Sequence, residues 1–426
     1  MRRAVTRRQF LKLAGAASLA LAHTHRADAA AASLAFSPAA FDATQDSVLI
    51  WARGDGGARI RVDFGEEGAS QLTAGPVADL TSDTDYCATI PLTHLAPGKR
   101  WSYHIMDAAS GKPLSEPCRF KTAPSGAAPF TFAFSADMED SYQPFTLLDV
   151  IDSKQPEFLL LLGDLIYADH PVKSFVPSVA YYRRKHAANR RDRHLQNFLA
   201  RYVTYATWDD HETENNANSL NPNMEKALQV YKEYWPCRAV DASALYRQFS
   251  WAGVDFFILD TRRFRSQQAM AEGPDKTMLG AAQKNWFKER LKSSKAPFKF
   301  VITSVPFHGG GVDTWGSYKT ERDEIARFVR SEKIAGVIFL TGDYHLARDW
   351  SNAKTGLREF MAGPIASFTH YKNNPDDRAR YEKAGTFHYG DGYNFGLWRV
   401  DPAAGKARLD FIGAAGQTLF QTEVTA

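Results

Sequence analysis

The chain has 426 residues, of which 44% are hydrophobic and 23% charged, and its formal net charge is +4. That length predicts roughly two to three domains with enough apolar sequence for a substantial core, which excludes a disordered or fibrous chain. So small a net charge gives no electrostatic case for a nucleic-acid partner, and no basic stripe interleaved with aromatic residues supplies one.

The first segment reads as a targeting signal. "TRRQFLK" (residues 6–12) precedes the apolar, small-residue run "LAGAASLALA" and an Ala-rich stretch. A basic start, a short apolar core and small residues before a cut form an export signal, here with cleavage near Ala29. The apolar run is too short to span a bilayer, so no stable membrane anchor is expected after cleavage. Arg7 and Arg8, followed by Phe10 and Leu11, resemble the twin-arginine signal. That resemblance implies the twin-arginine translocation machinery as a partner and a periplasmic or secreted location. Residues 1–30 are therefore set apart from the fold. Export permits disulfides; Cys87 and Cys118 share the first small domain and could pair, which leaves Cys237 as a buried thiol. With no C-x-x-C, cysteine-held zinc is not expected.

Residues 31–124 read as β. "SVLIWAR", "ARIRVDFG", "YCATIPL", "WSYHIMD" and "CRFKTAP" are short β-branched and aromatic runs, separated by turn sequences such as "GDGG", "APGK" and "ASGKP". Strands at this spacing predict a small β-sandwich, and "HLAPGKRWSYHI" with "CRFKTAP" resembles the later strands of a fibronectin type III domain. "APSGAAP" (residues 123–129) reads as a linker.

From residue 130 to the end the pattern changes. "FTFAFSAD", "PFTLLDVIDSK" and "PEFLLLLGD" read strand, helix, strand, the β-α-β unit of a parallel or mixed sheet covered by helices. "VTYATWDD", "VDFFILDT", "FKFVITSVPF", "AGVIFLTGD" and "REFMAG" are further strands, with helices such as "AAQKNWFKERLKSS" between them, and the C-terminus returns to β. The basic segment "YYRRKHAANRRDRHLQNFLARY" is helical in pattern. It reads as a solvated helical face or as a basic flap near an anionic site.

Several strands end on charged tips: Asp137, Asp164 with Tyr167 one turn on, Asp209 to Glu212, His308, and Asp343 with His345. Sites in open α/β sheets form beyond the carboxyl ends of strands, so these tips converge on one cleft. Uncompensated, such carboxylates repel one another and are costly to desolvate. A multivalent cation removes the conflict, and aspartate oxygens with imidazole nitrogens suit zinc, iron, manganese or calcium. A hydrolytic site with two or more metal ions is the expectation.

The series "D-x-E … GDLIY … WDDHE … VPFH … GDYH" resembles the metallophosphoesterase pattern, and "GDLIY", "TWDDHETENN", "LDTRRFR" and "LTGDYH" resemble more narrowly the PhoD-like alkaline phosphatase/phosphodiesterase family. The resemblance covers nearly the whole mature chain. It implies an α/β fold, a four-layer α/β/β/α metallophosphoesterase sandwich over residues 130–426 behind the fibronectin type III-like β-sandwich. It also implies an exported, metal-dependent activity: hydrolysis of phosphate monoesters, diesters or both by attack of a metal-bound hydroxide. Asp164 would bridge the ions, and Asp137 and Tyr167 would face one of them, for which the tyrosinate favours ferric iron. Asp210, Asp343 and His345 would hold the other, with calcium suited to the carboxylates and zinc or manganese as alternatives. His308 is a further metal candidate. His211 would stabilise charge on the phosphate or protonate the leaving oxygen. Arg262, Arg263 and Asn216 are candidates for binding the phosphate ester, an arginine fork being suited to phosphate oxygens. Glu139 stands where the pattern has an early histidine, and Asp137 stands where relatives often carry cysteine. A monomer is expected. The contrasting expectation is an envelope glycan- or polymer-binding protein whose metals are structural.

Overall fold

The structure is a computed structural model that describes residues 32–352, 355–384 and 386–426; the export signal expected over residues 1–30 lies outside them. The predicted strands form, and they sort into three sheets.

The largest sheet has nine strands. Its centre is parallel: Phe158–Leu162 lies between Phe130–Ser135 and Val203–Thr207. Every residue of Phe158–Leu162 is buried, as a strand covered on both faces requires, which is why "FLLLL" shows no alternation. The C-terminal strands Asn394–Asp401, Lys406–Gly413 and Thr418–Thr425 extend one side antiparallel. A second, seven-stranded sheet has the parallel centre Val254–Ile258, Lys299–Ile302, Val337–Thr341 and Leu357–Met361.

The two large sheets share a core of rings. Phe132 lies 5.2 Å from Phe158 on its own sheet, and 5.3 and 5.1 Å from Phe256 and Phe300 on the other. Rings of this size bury large apolar areas and prefer the edge-to-face contacts seen between the sheets. The outer face of the first sheet packs on Leu147–Ser153, Val179–Arg190, Arg193–Leu199 and Met224–Tyr234. That of the second packs on Gly280–Ser293 and Lys319–Ser331. The protein is thus a mixed α/β structure.

The seven strands of the first β region divide three and four. Ala58–Glu66, Thr73–Leu80, Arg100–Asp107 and Cys118–Lys121 form the third sheet. Ala39–Phe41, Val48–Arg53 and Cys87–Leu92 instead continue the nine-stranded sheet, with Ala39–Phe41 running parallel to Val203–Thr207. The seam is polar as well as apolar: Arg247 and Asp42 pair at 2.7 Å, both nearly inaccessible, and the Tyr205 hydroxyl donates to Ala43 O at 2.6 Å. The stretch 123–129 therefore does not separate two independent bodies.

Two expectations fail here. Cys87 and Cys118 do not pair; all three cysteines are free. Cys87 points into the core under the helices and Cys118 into the core between the sheets, so closeness in sequence placed them on different faces. Nor is the basic segment 181–202 a flap. Tyr181, Tyr182, Lys185, His186, Asn189 and Arg190 are buried in it, and Lys185 donates to Asp140 at 2.7 Å.

Candidate metal centre

The charged tips meet at the carboxyl ends of the parallel strands of both sheets. Asp137 follows Phe130–Ser135, Asp164 follows Phe158–Leu162, Asp209 and Asp210 follow Val203–Thr207, and Asp343 and His345 follow Val337–Thr341. At four of these positions the backbone is left-handed, with φ of 64° at Asp137, 52° at Asp164, 71° at Asp343 and 54° at His345. Asp and His tolerate that region better than most residues, and such outliers gather where a site must be held in one shape. The preceding glycine has its own reason. Gly163 has φ 111°, and a Cβ there would meet the Asp209 Cβ at 2.6 Å. Only glycine lets the two tips approach so closely.

Asp137, Asp164 and His345 offer ligand atoms within 4.8 Å of one another, and so do Asp164, Asp209, Asp210 and Asp343. Asp164 belongs to both groups. The Tyr167 hydroxyl is 2.8 Å from His345 Nε2, and Asp137 Oδ1 is 3.4 Å from the same nitrogen. Asp137 is 0% exposed and neither of its carboxylate oxygens has a hydrogen-bond partner; one oxygen each of Asp209 and Asp343 is in the same state. A buried acceptor left this way is expensive. Burial and mutual repulsion push the Asp164 and Asp343 carboxyls well above the usual range. The same causes raise Glu212 to about 8, and burial raises Asp209 to about 6 against the opposing charge of Arg262. Oxygen donors arranged like this fit hard multivalent cations, which would satisfy the orphaned atoms and relieve the repulsion.

Beside the carboxylates stands His211. Its Nδ1 is 2.6 Å from Asp169 Oδ1, and its ring stacks on Tyr167 at 4.3 Å. Burial alone would lower its pKa; the charge of Asp210 and the hydrogen bond to Asp169 outweigh burial and raise it to about 9. Asn216 is on the rim, lining the cleft, and its backbone N–H donates to Asp210 Oδ2 at 2.5 Å. Glu139 is in neither carboxylate group; it accepts from Ser141 at 2.7 Å and faces His170 Nδ1 at 3.4 Å.

Three expected site residues are placed elsewhere. His308 is fully buried behind the cleft, with Nδ1 3.1 Å from Glu359 and Nε2 2.7 Å from Thr355; the loop after its strand carries it past the tips. Arg262 is 0% exposed and is committed to carboxylates: Nε donates to Asp209 at 2.6 Å and the guanidinium fork to Asp313 at 3.1 and 2.6 Å. It lies under the acidic cluster rather than facing substrate. Arg263 turns outward to Ser243 O and Glu225.

Four residues without an expected role are structural to the centre. Asp169 orients His211. Asp209 joins the second carboxylate group. Asp313 anchors the buried arginine from a loop rich in glycine. Glu212 accepts from the backbone N–H of Leu165 at 2.6 Å, Asp209 at 2.8 Å and Asp164 at 3.2 Å, locking two tip loops together. Asp169 closes "GDLIYAD" and Glu212 closes "WDDHE", so both were visible next to assigned residues.

The profile of the PhoD-like phosphatase family matches residues 131–411. The chain belongs to that family. Alkaline phosphatase D of Bacillus subtilis (strain 168) is 27% identical over 347 residues, which is 67% of this chain. The chain spans 58% of the length of that curated relative. A solved structure of PhoD superposes with a TM-score of 0.79 at 22% identity, covering 92% of this chain and 89% of that one. Purple acid phosphatase PPD1 from yellow lupin (Lupinus luteus) seeds does so with a TM-score of 0.65 at 12% identity, covering 91% and 74%. At these identities the two structures show a shared fold.

Proposed function

We propose that this PhoD-like protein is an exported, metal-dependent phosphoesterase acting on phosphate monoesters, diesters or both. The observation that carries the reading is the pair of buried ligand groups sharing Asp164, with unpartnered carboxylate oxygens and an Asp169-bound imidazole beside them. Asp137, Asp164, Tyr167 and His345 would hold one ion, and Asp164, Asp209, Asp210 and Asp343 another. The phenol favours ferric iron at the first position and the all-carboxylate set favours calcium at the second, with zinc or manganese as the alternatives. Ions bound there would lower the pKa of an attacking water and neutralise phosphate oxygens.

The chain's own groups do the rest. With Nδ1 committed to Asp169, His211 has its Nε2 edge left to donate to a phosphate oxygen or to the departing alcohol. Asp169 keeps the ring oriented. Glu212 and the left-handed tips hold the carboxylates in register. The layering of helices, sheet, sheet and helices fits the metallophosphoesterase sandwich, and the division of the first seven strands fits a fibronectin type III-like unit fused to it. Folded export by the twin-arginine route to the periplasm or medium, as a monomer, completes the reading; among the described residues no helix is long and apolar enough to cross a membrane.

The test is metal content with a visible spectrum on protein purified without chelator, alongside hydrolysis of one monoester and one diester. A tyrosinate-to-iron absorption band lost in Tyr167→Phe supports iron. Two equivalents of a colourless metal with hydrolysis intact keeps the phosphoesterase and removes iron. Folded, metal-loaded protein inert towards both esters overturns the reading in favour of polymer binding.

A further inference from the structure

The chemistry above uses only the floor of the cleft. One of its sides is built from rings. The cleft encloses about 430 Å³, the size of a small-organic-ligand pocket rather than of a phosphate site alone. Tyr344, Trp350, Phe368 and Tyr381 all line it. Tyr344 lies between Asp343 and His345 in the chain, and the Phe368 ring is 4.1 Å from that of His345, so the rings begin where the ligand groups end.

The wall is seated rather than incidental. The run Gly309–Gly311 has no part in the metal centre. A Cβ on Gly309 would meet the Trp350 ring at 3.2 Å, and one on Gly311 would overlap the Tyr344 hydroxyl. The absence of side chains there makes room for both rings. Behind them, Arg348 is 5% exposed, and its guanidinium lies 3.8 Å from the Trp350 ring centre and 4.1 Å from that of Tyr381. Cation–π attraction on both faces ties together rings from two elements, the strand Ala347–Asn352 and the helix Asp377–Ala384. Trp350, Tyr344 and Phe368 remain half-buried, so they are fixed yet reachable. Aromatic faces held this way stack planar bases with little regard to which base it is.

We propose that this wall is a stacking subsite, and that the preferred substrates are phosphate esters whose alcohol carries a planar heteroaromatic ring, of the nucleoside 5′-phosphate class. The proposal rests on the phosphoesterase reading above.

The probe pair is adenosine 5′-monophosphate and ribose 5-phosphate, which share the leaving oxygen and differ in the base. Metal-loaded protein should show kcat/KM at least about tenfold higher for the nucleotide, as one stacked base would give. Trp350→Ala should bring that ratio to within about twofold of one, and Trp350→Phe should retain most of it. Adenosine should compete with ribose 5-phosphate hydrolysis, whereas ribose should not, a comparison that needs no variant. A wild-type ratio near one, or no competition by adenosine, overturns the subsite while leaving the phosphoesterase standing. Hydrolysis of neither ester overturns the parent reading instead.

Discussion

Arg262 under the cleft and Arg190 at the seam with the first β region are 0% and 2% exposed, and their surroundings have almost nothing in common. Arg262 is ringed by Asp209, Asp210 and Asp313, and those charges push its pKa up against the effect of burial. Arg190 has no carboxylate partner among the described residues. It lies over Trp235 at 4.0 Å, Trp51 at 4.5 Å and Phe41 at 5.5 Å, with the Tyr234 carbonyl as acceptor, and burial lowers its pKa to about 9. One cation is part of an electrostatic balance that includes the metal centre. The other is a flat, polar-edged packing piece that joins Trp51 and Phe41 of the β region to Trp235 beyond the helix Met224–Tyr234. Burying an arginine therefore says nothing by itself about function; its partners do.

That contrast can be broken at several points. Asp164→Asn should cost more than about 1000-fold in kcat/KM, because it removes the ligand common to both groups. The metal-free variant should be no less stable than metal-free wild type, since a repelling charge is gone; a loss of stability on denaturant titration would contradict the crowded-carboxylate description. Arg262→Met should destabilise by about 3–5 kcal/mol, because three carboxylates keep their burial and lose their counter-charge. His211→Ala should lower kcat by about 100-fold with little change in KM, since its proton is used in the transition state; steady-state kinetics showing a change confined to KM would reject that role. Arg190→Met should be the mildest, about 1–2 kcal/mol, because it leaves no charge stranded and Met fills apolar space. Equal losses for the two arginines in the same denaturation experiment would erase the distinction.

The alternation of strands and helices and the convergence of the strand tips could be read from the chain, because buried parallel strands write themselves as apolar runs and the site lies where those runs stop. Asp137, Asp164, Tyr167, Asp210, Asp343 and His345 come together at those strand ends, as the pattern of tips led one to expect. The misplacements have a common physical origin, in contacts between residues far apart in sequence. A guanidinium fork suits a carboxylate as well as a phosphate, and nothing near "LDTRRFR" announces that Asp313, 51 residues on, fills the fork of Arg262. His308 follows a strand like the other tips, but Glu359, two strands away in the same sheet, accepts from its backbone N–H at 2.6 Å and draws the loop away. The ring wall was equally hidden, since "HGGG" shows an absence of side chains without showing what occupies the space.

The left-handed backbone at Asp137, Asp164, Asp343 and His345 limits how the centre can change over evolutionary time. Residues branched at Cβ are strongly disfavoured there by their own sterics, and Gly, Asn, Asp and His are the residues that such a conformation accepts most readily. Asp, Asn and His each offer a ligand atom, so the substitutions this backbone accepts most readily include ones that exchange one metal ligand for another. A lineage can move from one metal to its neighbour in ligand preference by small steps along this short alphabet, while the geometry of the tips, set by glycine contacts and by Glu212, stays in place. Variation in metal use among proteins of this architecture is expected to be concentrated at these four positions, with the scaffold around them unchanged.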